Sequence, residues 1–272
     1  MKIISFHGGL GNQIFEYIYL QYLRKKYPTE SFYSFFCKKR LSLHNGFELK
    51  KWFDVDIPKT SKVTNITSWL CYQANRILRR MGMPLLFTSD DAHINYEALF
   101  HDGWFQDKKY FLEVGVPQFA NDLMLDENNK SILRHLSSCN SVSVHIRRGD
   151  FLLPKNDKSL GGICTHEYYQ KAMDMICHLV ENPVFFFFSD DPDYIMATYT
   201  FVNKIIVSCN RNEHSFFDLY LMAHAQNMIL ANSTFSCIAA YINKQAKVVI
   251  CPTIWNRRYN PNLSLDNWIE IE

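Results

Sequence analysis

The stretch Ser141-Val142-Ser143-Val144-His145-Ile146-Arg147-Arg148-Gly149-Asp150 carries the most structural information in this chain of 272 residues. It begins as an apolar alternation of period two, which marks a β-strand. It ends on two arginines, a glycine and an aspartate. The alternation puts His145 and Arg147 on one face of the strand and Ile146 on the other. Strand-like runs follow at 184–189, 204–208, 228–231 and 247–251, with helical patterns between them at 165–181, 192–198, 215–225 and 234–243. Asp191 before Pro192 is a good helix cap and first-turn pair, and Thr165 with Glu167 opens the longer helix. Strands alternating with helices predict a parallel sheet covered on both faces, with ligands beyond the carboxyl ends of its strands.

The amino-terminal half opens in the same way, with a strand at 2–6, a glycine turn, a helix at 12–27 and a strand at 31–36. Beyond it, 67–80 reads as helical and 84–126 as irregular and aromatic, while the polar, acidic stretch 122–129 reads as a link. No repeat of solenoid period is present. The expectation is two α/β lobes facing a central cleft, residues 1–130 and 131–272.

Composition excludes several classes. Apolar residues make up 47% and charged residues 21%, as in globular proteins. A net charge of +2 does not make a nucleic-acid surface, so any anionic ligand needs a local basic cluster. Apolar runs such as Val184-Phe185-Phe186-Phe187-Phe188 are far shorter than the ~20 residues of a membrane helix. Met1-Lys2 passes straight into a strand, without the apolar region of a signal peptide. A cytoplasmic location is expected, compatible with peripheral attachment at the inner face of the cell membrane. The eight cysteines form no Cys-x-x-Cys pair and read as unpaired structural thiols of a reducing compartment.

Four segments carry chemistry. In His7-Gly8-Gly9-Leu10-Gly11-Asn12-Gln13, glycines between a strand and a helix let backbone approach a ligand. The third glycine of a dinucleotide fingerprint is missing, which disfavours a nicotinamide cofactor. Arg147 and Arg148 at a strand end suit bidentate contact with phosphate oxygens. Asp150, past the Gly149 turn, can orient an arginine or face an acceptor hydroxyl. In Ser189-Asp190-Asp191-Pro192-Asp193, the Asp-x-Asp string invites a metal, but Asp191 is better used as a helix cap. Asp190 is then left to hydrogen-bond a base such as guanine. Finally, in Asn232-Ser233-Thr234-Phe235-Ser236, Ser233 or Thr234 caps a helix, and the free amides with Ser236 form an anion-binding concavity. On the helix before it, Leu219, Met222 and Ala223 form a core stripe.

In collinear order these segments resemble the bacterial α1,2-fucosyltransferases of glycosyltransferase family 11. The matching pieces are Gly9-Leu10-Gly11-Asn12-Gln13, the His-x-Arg-Arg-x-Asp motif at 145–150, Phe188-Ser189-Asp190-Asp191, and Asp218-Leu219-x-Leu221-Met222 leading to Ala231-Asn232-Ser233-x-Phe235-Ser236. Gly103-Trp104-Phe105-Gln106 with Tyr110-Phe111 is similar to a further segment of that family. The resemblance implies a GT-B type fold of two Rossmann-like lobes, the first on the acceptor side and the second binding GDP-fucose. It implies inverting transfer of L-fucose from GDP-β-L-fucose to the 2-hydroxyl of a β-galactoside, in surface glycan or O-antigen synthesis, without metal or other cofactor.

By the same resemblance, Arg147 neutralises the β-phosphate and His145 and Asp190 lie near guanine. Ser233, Thr234 and Ser236 contact the diphosphate, Arg148 belongs to the donor side with a mainly architectural part, and the turn of Gly9, Gly11 and Asn12 faces the cleft from the first lobe. Asp150 is the general-base candidate closest in sequence. Cys237 and Ala225 depart from the family's usual residues and read as packing changes. Transfer of another GDP-sugar and carbohydrate binding without turnover are the rival readings.

Overall fold

The computed structural model describes residues 1–83, 85, 87–200 and 203–272. Pro84, where the irregular stretch was expected to begin, lies outside the described residues. The chain divides into two compact units, Met1–Leu123 and Met124–Glu272.

In chain order the first unit contains β1 (Lys2–Phe6), α1 (Leu10–Lys26), β2 (Phe32–Phe36), one-turn helices α2 (Lys38–Leu41) and α3 (Leu49–Trp52), β3 (Phe53–Asp54) and α4 (Lys62–Arg80). Then come β4 (Thr88–Ser89), β5 (Phe100–His101), α5 (Lys108–Val114) and β6 (Gln118–Phe119). Four strands form a parallel sheet in the order β2-β1-β5-β4, and β3 pairs with β6 antiparallel. β1 is buried along its whole length, so its apolar run is read by both faces of the sheet. The aromatic segment has a packing role here: Phe105 stacks on Tyr19 of α1 at 3.7 Å between centroids, and Tyr110 meets the same ring edge-on.

The second unit contains α6 (Glu127–Ser138), β7 (Ser141–Ile146), α7 (Pro154–Asp157), α8 (His166–Leu179), β8 (Val184–Ser189), α9 (Pro192–Thr198) and β9 (Lys204–Val207). It closes with α10 (Phe216–Met222), β10 (Asn227–Ile229), α11 (Thr234–Ile242), β11 (Val248–Pro252) and β12 (Ile269–Ile271). All six strands are parallel, in the order β12-β11-β10-β7-β8-β9. Phe185, Phe186, Phe187 and Phe188 of β8 are all buried. Each such side chain contributes about 1.5–3 kcal/mol of apolar burial. The stripe Leu219, Met222 and Ala223 is buried as its spacing predicts.

The stretch 122–129 is not a simple link. Asp126 accepts a hydrogen bond from the Asn129 amide at 2.8 Å and caps α6. The polar residues that suggested a linker are a cap and a first helical turn. Asn129 itself is fully buried and exchanges amide hydrogen bonds with Asn210.

Both sheets have a switch point, where the strand order reverses beside the first strand. In the first unit it lies between β1 and β5, and in the second between β7 and β10. Ligands of such sheets bind beyond the strand ends at these places.

Candidate functional site

At the second unit's switch point, β7 delivers His145 and Arg147 to its carboxyl end, and β10 leads through Asn232 into the start of α11. The His145 ring lies 5.8 Å from that of Phe235 in the first turn of α11, so the two strand ends share one surface. Burial, with the charge of Arg147, lowers the His145 pKa to about 3, so the imidazole is neutral at physiological pH. Its Nδ1 is buried without a hydrogen-bond partner. A neutral imidazole with one uncommitted ring nitrogen is suited to a neutral polar ligand group.

Arg147 sits between two carboxylates. Its Nε and Nη2 donate to Asp150 Oδ1 at 3.0 and 2.7 Å, and its Nη1 meets Asp190 Oδ2 at 2.8 Å. A guanidinium has five N–H groups, so this clamp fixes the plane and leaves two of them for a ligand. Asp150 follows the first of its two expected courses: it turns onto the arginine. Asp190 differs from the free acceptor expected for guanine. Its Oδ1 accepts from the Arg148 amide at 2.9 Å while Oδ2 holds Arg147.

Gly149 makes this possible through space: a Cβ there would stand 2.6 Å from Asp190 Oδ2. Arg148 points elsewhere. Its Nε donates to Asp191 at 2.9 Å and its guanidinium lies 3.6 Å over the Tyr194 ring. Asp191 caps α9 through the Tyr194 amide, and the hydrogen bond from Arg148 holds its carboxyl below the usual range. The Asp191-Pro192-Asp193 string is therefore built into the helix start. Among the described residues, no group of three or more His, Cys, Asp and Glu side chains is arranged to hold a metal ion.

Across the switch point, Ser233 caps α11 by accepting from the Phe235 amide at 3.3 Å. Thr234 is half-buried at the first helical position. Ser236 departs from its expected part in a diphosphate cradle. It is fully buried and donates inward, to the carbonyls of Ala231 and Ser233. Asn232 ties the turn to Leu160 and Trp255 through their carbonyls.

Gly9, Gly11 and Asn12 belong to the first unit, where they open α1. Gly8 has φ +75°, and its missing Cβ leaves room for Trp104, whose ring carbon would otherwise be 2.7 Å away. Asn12 accepts from Gln106 Nε2 at 2.9 Å. The switch point of this unit holds a network that motif reading misses. The His7 Nδ1 is 2.9 Å from Glu16, its Nε2 is 3.5 Å from Asp102, and Asp102 in turn meets Arg40 at 3.3 Å. All but Arg40 are buried. Burial pushes Glu16 up to about 7 against the pull of His7, and against its own burial His7 is raised by Glu16 and Asp102. A signal was present: Glu16 is the one carboxylate of α1, set between Phe15 and Tyr17 in an apolar run.

Residues 4–272 match glycosyl transferase family 11. The chain belongs to that family. It is a glycosyltransferase built from two Rossmann-like α/β units, a fold of the GT-B type. Two Escherichia coli proteins are each 29% identical to this glycosyltransferase over nearly their whole lengths. One is the O-antigen biosynthesis glycosyltransferase WbnK, with 97% of this chain and 98% of that protein covered. The other is an α-1,2-colitosyltransferase, with 97% of each covered. Among solved structures, fucosyltransferase NodZ from Bradyrhizobium superposes with a TM-score of 0.51 at 11% identity, covering 91% of this chain and 93% of that one. NodZ α-1,6-fucosyltransferase co-crystallized with GDP gives 0.50 at 12%, with 91% and 92% covered. At such identities the likeness is one of fold.

Proposed function

We propose that this glycosyltransferase moves L-fucose from GDP-β-L-fucose to the 2-hydroxyl of a β-galactoside, with inversion, during synthesis of a surface glycan or O-antigen. The observation that carries the reading is Arg147. It stands at a switch-point strand end, held in plane by Asp150 and Asp190, with two N–H groups left for an anion. Neutral His145 and the start of α11 flank it.

In the reaction, the bond between the sugar and the β-phosphate oxygen breaks as the acceptor hydroxyl attacks. Negative charge grows on the departing GDP. A pre-positioned guanidinium stabilises that charge more in the transition state than in the ground state, which lowers the barrier. Asp150 and Asp190 act as positioning residues, and His145 with Thr234 and Ser233 borders the nucleotide side. The acceptor proton leaves late, to solvent or to a base. Asp150 is engaged with Arg147, so its service as that base requires release from the arginine.

The test is Arg147→Ala assayed with GDP-fucose. A loss of about 100-fold or more in kcat is expected for removing one such electrostatic contact; near wild-type turnover would overturn the assignment. The reading includes no metal, so activity should survive excess chelator; loss with rescue by Mn²⁺ would contradict it. A second reading, transfer of colitose from its GDP form, is favoured by the name of one relative. Colitose lacks one hydroxyl of fucose, and competition between the two donors separates the readings.

A further inference from the structure

Helix α4 is amphipathic the wrong way round for a helix of a globular unit. Its buried residues are Thr64, Ser68 and Asn75, and Asn75 donates to Thr88 at 2.6 Å. Apolar residues recur at spacings of three and four along Val63, Ile66, Leu70, Ala74, Ile77 and Met81, and every one is exposed. Val63 is 71%, Leu70 54%, Ile77 58% and Met81 65% accessible. A helix of this kind ordinarily turns such a stripe to the core. Here the polar face packs inward and the apolar face meets the surroundings over five turns.

Charge says what covers it. On a helical wheel Lys62, Arg76 and Arg80 fall along one edge of the stripe, together with exposed Trp69. Arg79, on the other side, is paired with Asp90. Residues 57–89 contain five Lys and Arg and no Asp or Glu, while the rest of the chain has 24 basic against 27 acidic residues. A helix with an exposed apolar stripe, tryptophan at its border and cations along one flank matches the interface of an anionic bilayer. No helix of the described residues is long and apolar enough to cross a membrane, so this contact lies in the plane of the surface.

We propose that α4 docks this glycosyltransferase on an anionic lipid surface, with Val63, Ile66, Leu70, Ile77 and Met81 immersed and Lys62, Arg76 and Arg80 at the phosphates. The inference is independent of which sugar is transferred.

The full chain is tested for co-sedimentation with vesicles of phosphatidylcholine, alone and mixed with phosphatidylglycerol. Binding is expected only to the mixed vesicles and is expected to fall with salt. Each cation near the surface contributes about fivefold, so Arg76→Gln with Arg80→Gln should weaken binding about 30-fold. Leu70→Asp should weaken it at least tenfold. Brominated acyl chains should quench tryptophan fluorescence in the parent and less in Trp69→Phe, which reports immersion of this helix. All these side chains are exposed, so the thermal midpoints should not move, and the charge pair and the apolar substitution test the idea separately. Equal binding to both vesicle types, no binding, or binding indifferent to both kinds of variant would overturn the proposal. So would a dimer dissolved by Leu70→Asp without any lipid affinity, which would make the stripe a protein interface.

Discussion

Gly149→Ala tests whether Arg147 depends on its carboxylate clamp. The added methyl would lie 2.6 Å from Asp190 Oδ2 and 3.3 Å from Cγ. To regain ordinary contact the carboxylate must retreat by roughly 0.8 Å. Asp190 is a short side chain tied at both oxygens, to the Arg148 amide at 2.9 Å and to Arg147 at 2.8 Å, so it has no alternative pose that keeps both. Retreat opens the Arg147 contact beyond hydrogen-bond length. A charge-assisted hydrogen bond contributes about 1.5–3 kcal/mol. Side-chain exposures of 32% and 24% admit solvent screening, which lowers the figure to about 1–2 kcal/mol. Expressed in the transition state, that is a fall of about 5- to 30-fold in kcat/KM. Donor turnover would be measured beside the thermal midpoint, so that lost fold is told from lost positioning. Asp190→Asn, which keeps the shape and removes the charge, should fall by a similar factor. Both variants within twofold of the parent, at unchanged midpoint, would refute the claim that the clamp positions Arg147.

Two further outcomes bear on the frame around the site. Gly8→Ala combines φ +75° with a contact 2.7 Å from Trp104, so it should destabilise by about 2–4 kcal/mol and lower the unfolding midpoint by roughly 5–15 °C; an unchanged midpoint would contradict the packing described for this turn. Burial pushes the Asp218 carboxyl up to about 7, against one hydrogen bond from Asn210. Its folded pKa is above the unfolded value near 4, so its contribution is complete below about pH 4 and is lost as pH rises from 4 through 7. The parent's midpoint should therefore drop between pH 4 and 7 by more than that of Asp218→Asn, and parallel curves would count against a protonated carboxyl.

Much of this fold was legible from alternation and punctuation. The runs at 184–189 and 192–198 agree with β8 and α9 to the residue, because a buried parallel strand is a continuous apolar run and Asp191-Pro192 marks a helix start. The helix at 127–138 was hidden because its first turn is polar and its hydrophobic stripe thin. β12 is three residues long, too short to show alternation. Of the site, the sequence carries the identities of Arg147 and His145 and the capping role of Asp191. It does not carry pairings across the sheet. That Asp190 supports the arginines, or that Ser236 donates inward, follows from β7 and β8 lying side by side and from the depth of α11. The His7, Glu16 and Asp102 network joins residues up to 95 positions apart, where spacing says nothing.

The most direct measurement is of the product. The purified chain is incubated with GDP-β-L-fucose and a panel of β-galactosides, and the linkage and anomeric form of the product are determined by NMR. The proposed transfer gives α-L-fucose on the 2-hydroxyl of galactose, with GDP released in equal amount. Transfer to another hydroxyl, a β-linked product, or consumption of a different donor with GDP-fucose untouched would contradict it.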